Sequence, residues 1–222
     1  MDSRQIELDG DLCEASCAGR LPEVRSLLDR RANVEACNAN MYTSLHLASS
    51  QGHHQCVELL LDRHANVNAR NCYGYTPLHL ASSEGHHQCV ELLLDRHANV
   101  NAVATNDYSP LHLASVRGQR QCIELLLDRR ANADAADQYG NTALHLVSAE
   151  GQLECIELLL DRHANVNAVD NTYSTALHYA ARDGFLQCIE ILIDHGADKS
   201  IENVRESSDA MSIDDPDSGS SR

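Results

Sequence analysis

Three residue types recur in this chain at spacings that invite chemistry: cysteine, histidine and carboxylate. Cys56, Cys89, Cys122, Cys155 and Cys188 stand 33 residues apart. They could form disulfides or a metal site. If they occupy equivalent places on stacked helices, neighbours lie roughly 8–10 Å apart. A disulfide needs Cα atoms within about 7 Å, and zinc needs its sulfur ligands about 2.3 Å from one point. The ladder fits neither, and reads instead as a small apolar residue buried near the start of a helix. Cys13, Cys17, Cys37 and Cys72 follow no regular spacing, and Cys72 is expected to be an exposed thiol.

The chain has 13 histidines. His46, His79, His112, His145 and His178 share the 33-residue step. The doublets His53-His54 and His86-His87 could ligate metal, but adjacent side chains on a helix point to different faces. Glu58, Glu91, Glu124, Glu157 and Glu190 form an acidic ladder, repeated four residues on by Asp62, Asp95, Asp128, Asp161 and Asp194. Paired carboxylates can act as acid and base. A pair that recurs in every unit is instead what a solvated helix face carries, here partly offset by Arg63, Arg96, Arg129 and Arg162. There is no GxSxG, P-loop, GxGxxG or HExxH. The sequence therefore predicts no catalytic residue, no cofactor and no metal.

The elements follow from the period. TSLHLA begins at Thr43, TPLHLA at Thr76, SPLHLA at Ser109, TALHLV at Thr142 and TALHYA at Thr175, every step 33 residues. QCVELLLDRHANVNA at Gln55 and Gln88 is followed by close copies at Gln121, Glu154 and Gln187. A divergent first copy is marked by Leu12, Ala15, Gly19, Val24, Leu27 and Leu28. Each unit reads as helix, turn, helix, extended loop. Thr76 suits an N-cap and Pro77 the first helical position. Gly85 suits a left-handed helix end. Cys89, Val90, Leu92, Leu93 and Leu94 make an apolar face too broad for a lone helix, so neighbouring units must cover it.

This pattern resembles the ankyrin repeat family over about residues 10–203, through TPLHLA, the G-H-x-x-C-[VI]-E-L-L-L helix and the A-N-V-N-A ending. The resemblance implies an all-α solenoid of L-shaped helix pairs with β-hairpin fingers. It also implies that the recurrent His ties adjacent repeats by hydrogen bonds. The expected repeats are 10–42, 43–75, 76–108, 109–141, 142–174 and 175–203, preceded by a leader at 1–9 and followed by an acidic, disordered tail at 204–222. Two departures stand out. The family's Gly at the end of the second helix is replaced by Arg31, His64, His97, Arg130 and His163, and kept only as Gly196. A left-handed residue with a Cβ costs on the order of 1 kcal/mol, so this series should lower stability without changing the fold. In the tail, SSDAMSIDDPDSGSSR lacks the motif of a further repeat, and Ser212-Ile213-Asp214-Asp215 reads as solvated linker or acid-directed kinase site.

In this family partners are met by finger tips and the exposed side of the first helix, on a concave face. The positions that vary between copies there are Tyr42; Cys72, Tyr73, Tyr75 and Glu84; Asn106, Tyr108 and Arg117; Gln138, Tyr139, Asn141 and Glu150; Thr172, Tyr173 and Arg182. Six of the seven Tyr fall in fingers, and Tyr gives large contact area at small entropic cost. Tyr42, Tyr75 and Tyr108 could equally pack on a neighbouring hairpin, whereas Tyr73 and Tyr139 favour a partner. Asn68, Asn101 and Asn167 each stand eight residues after a Leu in A-N-V-N-A, which looks like the site used by the cytosolic asparaginyl hydroxylase of ankyrin repeats.

The formal charge of −16 disfavours nucleic acid and anionic membrane and favours a basic protein surface. The N-terminus MDSRQIELDGDL has no apolar core for a signal peptide, and no run approaches the ~20 apolar residues of a membrane span. The expectation is a monomeric, non-catalytic scaffold or adaptor in the cytoplasm, with the nucleus also open to it. The alternatives are a regulatory or targeting subunit that inhibits an enzyme or delivers substrates to it, or the repeat portion of a larger protein.

Overall fold

The computed structural model describes residues 3–202. Among them, twelve α-helices form six antiparallel pairs. The pairs are α1 (Ser3–Cys17) with α2 (Leu21–Asp29), α3 (Ser44–Ser50) with α4 (His54–Asp62), and α5 (Pro77–Ser83) with α6 (His87–Asp95). They continue as α7 (Pro110–Val116) with α8 (Arg120–Asp128), α9 (Ala143–Ala149) with α10 (Leu153–Asp161), and α11 (Ala176–Arg182) with α12 (Leu186–Asp194). First helices pack on first helices and second on second, so each pair touches its neighbours in single file. The core runs the length of the stack: Leu45, Leu60, Leu78, Leu93, Leu111, Leu126, Leu144 and Leu159 are all buried. Burying one such side chain contributes about 1.5–3 kcal/mol, and most of them are covered only because a neighbouring pair lies against them.

Each of α3, α5, α7, α9 and α11 starts the same way. An extended Thr or Ser at the N-cap shares a capping box with the His three residues on, which stands where Glu or Gln is usual. These helices end within two turns, and Gly85 follows α5 at φ +78°. A Cβ there would meet the Gln119 side chain at 2.2 Å, so Gly85 answers both backbone conformation and the close approach of the next pair.

The anomalous helix ends behave as the sequence implies. Arg31, His64, His97, Arg130 and His163 are all left-handed, with φ between 64° and 68°. The fingers contain no regular β-strands among the described residues; the one bridge is Cys37 with Thr43. Each finger is too short for a ladder, closing with a hydrogen bond such as Asn71 N–H to Tyr75 C=O at 3.0 Å. The segment written as a leader is also helical from Ser3. Leu8 and Asp9 are buried, and the Asp9 carboxylate accepts from the Asn33 amide at 2.8 Å. The acidic tail, with Ser212, lies outside the described residues.

No helix among the described residues is long and apolar enough to cross a membrane.

Candidate functional site

The recurrent histidines are built into joints between repeats. In each joint the His Nδ1 accepts from the backbone amide of the capping Thr or Ser, at 3.1 Å for His46, His79, His112 and His145. That fixes the proton on Nε2. The Nε2–H then donates to the carbonyl of Tyr75, Tyr108, Asn141 or Ser174, the last residue before the next repeat, at 3.0–3.1 Å. Burial depresses all four pKa values, that of His79 to about 4. These neutral imidazoles are placed to hold repeats together.

The cysteine ladder is buried and free of disulfides. Burial pushes the Cys89 and Cys122 thiols up to about 12, away from nucleophilic use. His53 and His86 reach back to the carbonyls of Cys17 and Ser50 in the preceding repeat, each at 3.1 Å. No group of three or more His, Cys, Asp or Glu among the described residues is arranged to hold a metal. The acidic ladder is crossed by ion pairs between repeats: Arg63–Asp29 at 2.8 Å, Arg96–Asp62 at 3.0 Å, Arg129–Asp95 at 2.8 Å, and Arg162–Asp128.

The fingers form one row. Backbone hydrogen bonds link tip to tip: Cys72 N–H to Asn40 C=O, Thr105 N–H to Tyr73 C=O, Gln138 N–H to Asn106 C=O, and Asn171 N–H to Tyr139 C=O, all 3.0–3.1 Å. Within four fingers an Asx side chain closes the turn, buried at Asn71, Asp137 and Asp170 and exposed at Asn38. Asn71 Oδ1, for example, accepts from the Tyr73 and Tyr75 amides at 3.0 and 2.9 Å. Asn38, Asp137 and Asp170 do the same. Ala104 fills this place in the third finger, which instead makes a 3-10 turn over Thr105–Asp107 with Asn106 and Asp107 left-handed.

The finger tyrosines divide into two sets. Tyr42, Tyr75 and Tyr108 are half-buried. Their rings meet the edges of His46, His79 and His112 at centroid distances of 5.6–5.8 Å, so they shield the joints. Tyr73, Tyr139 and Tyr173 are 50%, 57% and 62% exposed at the tips. Tyr173 is also left-handed, at φ 61°, where two other fingers carry Gly74 and Gly140. Cys72, Glu84, Asn106, Arg117, Gln138, Glu150 and Thr172 are exposed along the same repeats. Asn141 is tied inward, its Nδ2 on Asp137 at 3.3 Å. Arg182 pairs with Asp183 at 2.8 Å and stacks 5.2 Å from the Tyr179 ring.

Tyr179 was not among the sequence-predicted positions. Asn141 stands in the fourth finger where the first three carry the shielding ring, and Tyr179 of α11 supplies one, 5.8 Å from His145. Its hydroxyl donates to Asp170 at 2.8 Å. Burial, then the bond to Asp170, pushes its pKa up to about 12. The signal was available: Tyr179 is the one Tyr outside the fingers, one repeat after the finger that carries Asn141.

The loop asparagines also bridge repeats. Asn68, Asn101 and Asn167 Oδ1 accept from the amides of Asn99, Asn132 and Asp198 at 2.8–2.9 Å.

The family profile described as "Ankyrin repeats" matches in three copies, over residues 12–104, 73–137 and 111–203. The chain belongs to the ankyrin repeat family. Among solved structures it is similar to the human ASB11 ankyrin repeat domain, at 33% identity and a TM-score of 0.80 over 87% of each chain. No curated protein sequence matches the chain. Ankyrin repeats are generally protein-interaction modules, a fold typically without catalysis of its own.

Proposed function

We propose that this chain is a non-catalytic docking scaffold that binds a partner protein along its row of finger tips and the exposed sides of its first helices. One observation carries the reading. Tyr73, Tyr139 and Tyr173 stand half or more exposed on tips held together by backbone hydrogen bonds. Tyrosines on a pre-ordered backbone lose little entropy on binding. The formal charge of −16 favours a basic partner surface and opposes nucleic acid and anionic membrane. The protein acts as a monomer in the cytoplasm or nucleus.

The test is the double variant Tyr73→Ala, Tyr139→Ala. A partner captured by the wild type from native lysate, identified by mass spectrometry and cross-linked to the fingers, should bind the variant at least tenfold more weakly. The melting temperature should hardly move. Unchanged binding with lost stability would reject the proposal.

We also propose Asn68, Asn101 and Asn167 as hydroxylation sites. Asn68 and Asn101 are exposed, which favours access, while their engaged Oδ1 atoms require the loop to detach first. Intact mass of protein from the native cell checks this: a species heavier by one oxygen per modified Asn is expected, and its absence counts against the idea.

A further inference from the structure

The first repeat breaks the joint chemistry of all the others. Where they have His46, His79, His112, His145 and His178, it has Cys13. The Cys13 thiol donates to the Ala36 carbonyl at 3.5 Å, as His112 Nε2 does to Ala135. It accepts from the Ser44 hydroxyl at 3.6 Å. Ala36 and Ser44 flank the Cys37–Thr43 bridge that closes the first finger. The corresponding positions of the other fingers are Arg70, Val103, Ala136 and Val169. The repeat that lost its His therefore gained two cysteines, one on each side of the same joint.

The backbone brings the two cysteines close to one another. A carbonyl oxygen lies roughly 2.8 Å from the next Cα in a trans peptide. With Cys13 Sγ 3.5 Å from the Ala36 oxygen, the sulfur is within roughly 6.3 Å of Cys37 Cα by that geometry. A disulfide holds the partner sulfur no more than about 4.5 Å from the facing Cα, so closing the bond takes rotation of the exposed Cys37 side chain and an approach of α1 and the finger by up to about 2 Å. Cys37 is open to solvent and Cys13 half-buried, which orders the steps.

We propose that Cys13 and Cys37 form a reversible disulfide that replaces the missing histidine joint and clamps α1 to the first finger. The oxidant is a small-molecule disulfide of the glutathione type. The Cys37 thiolate attacks one of its sulfurs, forming a mixed disulfide and releasing one thiol. Cys13 then gives up its proton and attacks Cys37 Sγ, closing the protein disulfide and releasing the second thiol. Two thiol groups of the protein are oxidised and one small disulfide is reduced to two thiols. Burial and the neighbouring Cys37 raise the Cys13 pKa, which slows the second step without preventing it. Because the Cys72 amide hydrogen-bonds to Asn40, the clamp would fix the end of the finger row.

The experiment treats the full-length protein with oxidised glutathione, alkylates the remaining thiols, and maps the bond by tandem mass spectrometry. The expected product has lost two hydrogens, carries a Cys13–Cys37 link, and melts at a higher temperature than the reduced protein. Dithiothreitol should reverse both changes. Cys37→Ser leaves every Cys13 contact in place, and it should fold like the wild type while losing the link and the temperature shift. Cys17→Ser, which removes the nearest competing thiol, should retain them. A glutathione adduct that persists on Cys37, or a link from Cys13 to Cys17 in its place, would overturn the proposal.

Discussion

Ser16, Ser49, Ser82, Ser115 and Ser148 sit in the core at 0% exposure, and their hydroxyls have no hydrogen-bond partner. A buried hydroxyl without a partner costs more than the methyl group that could replace it. Ser82→Ala should therefore raise stability by about 1 kcal/mol, seen as a higher denaturant midpoint with an unchanged slope. A lower midpoint would mean that the hydroxyl contributes an interaction absent from this structure. The left-handed helix ends give a second case. His97 is exposed at φ 65°, so His97→Gly relieves backbone strain of on the order of 1 kcal/mol. Part of the gain is cancelled by the extra freedom of glycine in the unfolded chain. The net effect should be a small rise in melting temperature, with finger-face binding unaltered.

The helix starts depend on neutral histidines, which makes them sensitive to acid. His46, His79, His112 and His145 have folded pKa values lowered by burial, that of His79 to about 4. As pH falls below about 6.5, the unfolded chain takes up protons before the folded one. The stabilisation is whole above that value and is lost on descent towards the folded pKa. Each such imidazole adds a slope of up to about 1.4 kcal/mol per pH unit. Thermal melts between pH 7 and pH 4.5 should show a steepening fall, and a flat profile would contradict the buried, neutral joint. His79→Ala should cost about 3 kcal/mol, since it strands both the Thr76 amide and the Tyr108 carbonyl. The 33-residue period made the helices, caps and joints readable in advance because every copy solves one packing problem. It was silent where copies differ in geometry. Nothing local in Ala104 announces a 3-10 turn until the Asx side chain shared by the other fingers is known. The sequence sets Tyr179 apart as the one Tyr outside the fingers, but the crossing of its ring to His145 follows from the packing of α11 on α9. Residues 3–9 share no motif with the repeats, and the packing of Leu8 and the bond of Asp9 to Asn33 arise only in the folded first pair.

Along the whole molecule, burial declines at the C-terminal end of the described stack. In α11 and α12 the buried residues are only Ala176, Ala180, Cys188 and Leu192, and Leu186 is 72% exposed. In a chain of nearest-neighbour units, terminal units open first. Amide hydrogen exchange should therefore be fastest in α11 and α12 and slowest in α5 to α8; uniform protection would show that the stack opens as one. The same single-file arrangement bears on how such a chain can change its length. Each histidine finds its acceptor on the main-chain carbonyl that ends its own unit, at the seam with the next, where residue identity hardly matters: Tyr75, Tyr108, Asn141 and Ser174 serve alike. If residues 76–108 were excised, Tyr75 would be followed by Ser109, His46 would still face the Tyr75 carbonyl, and His112 would inherit the seat of His79. Gain or loss of a whole unit leaves no mismatched seam, so gene rearrangements in steps of 99 nucleotides, three for each of the 33 residues, can lengthen or shorten the recognition surface while sparing the fold.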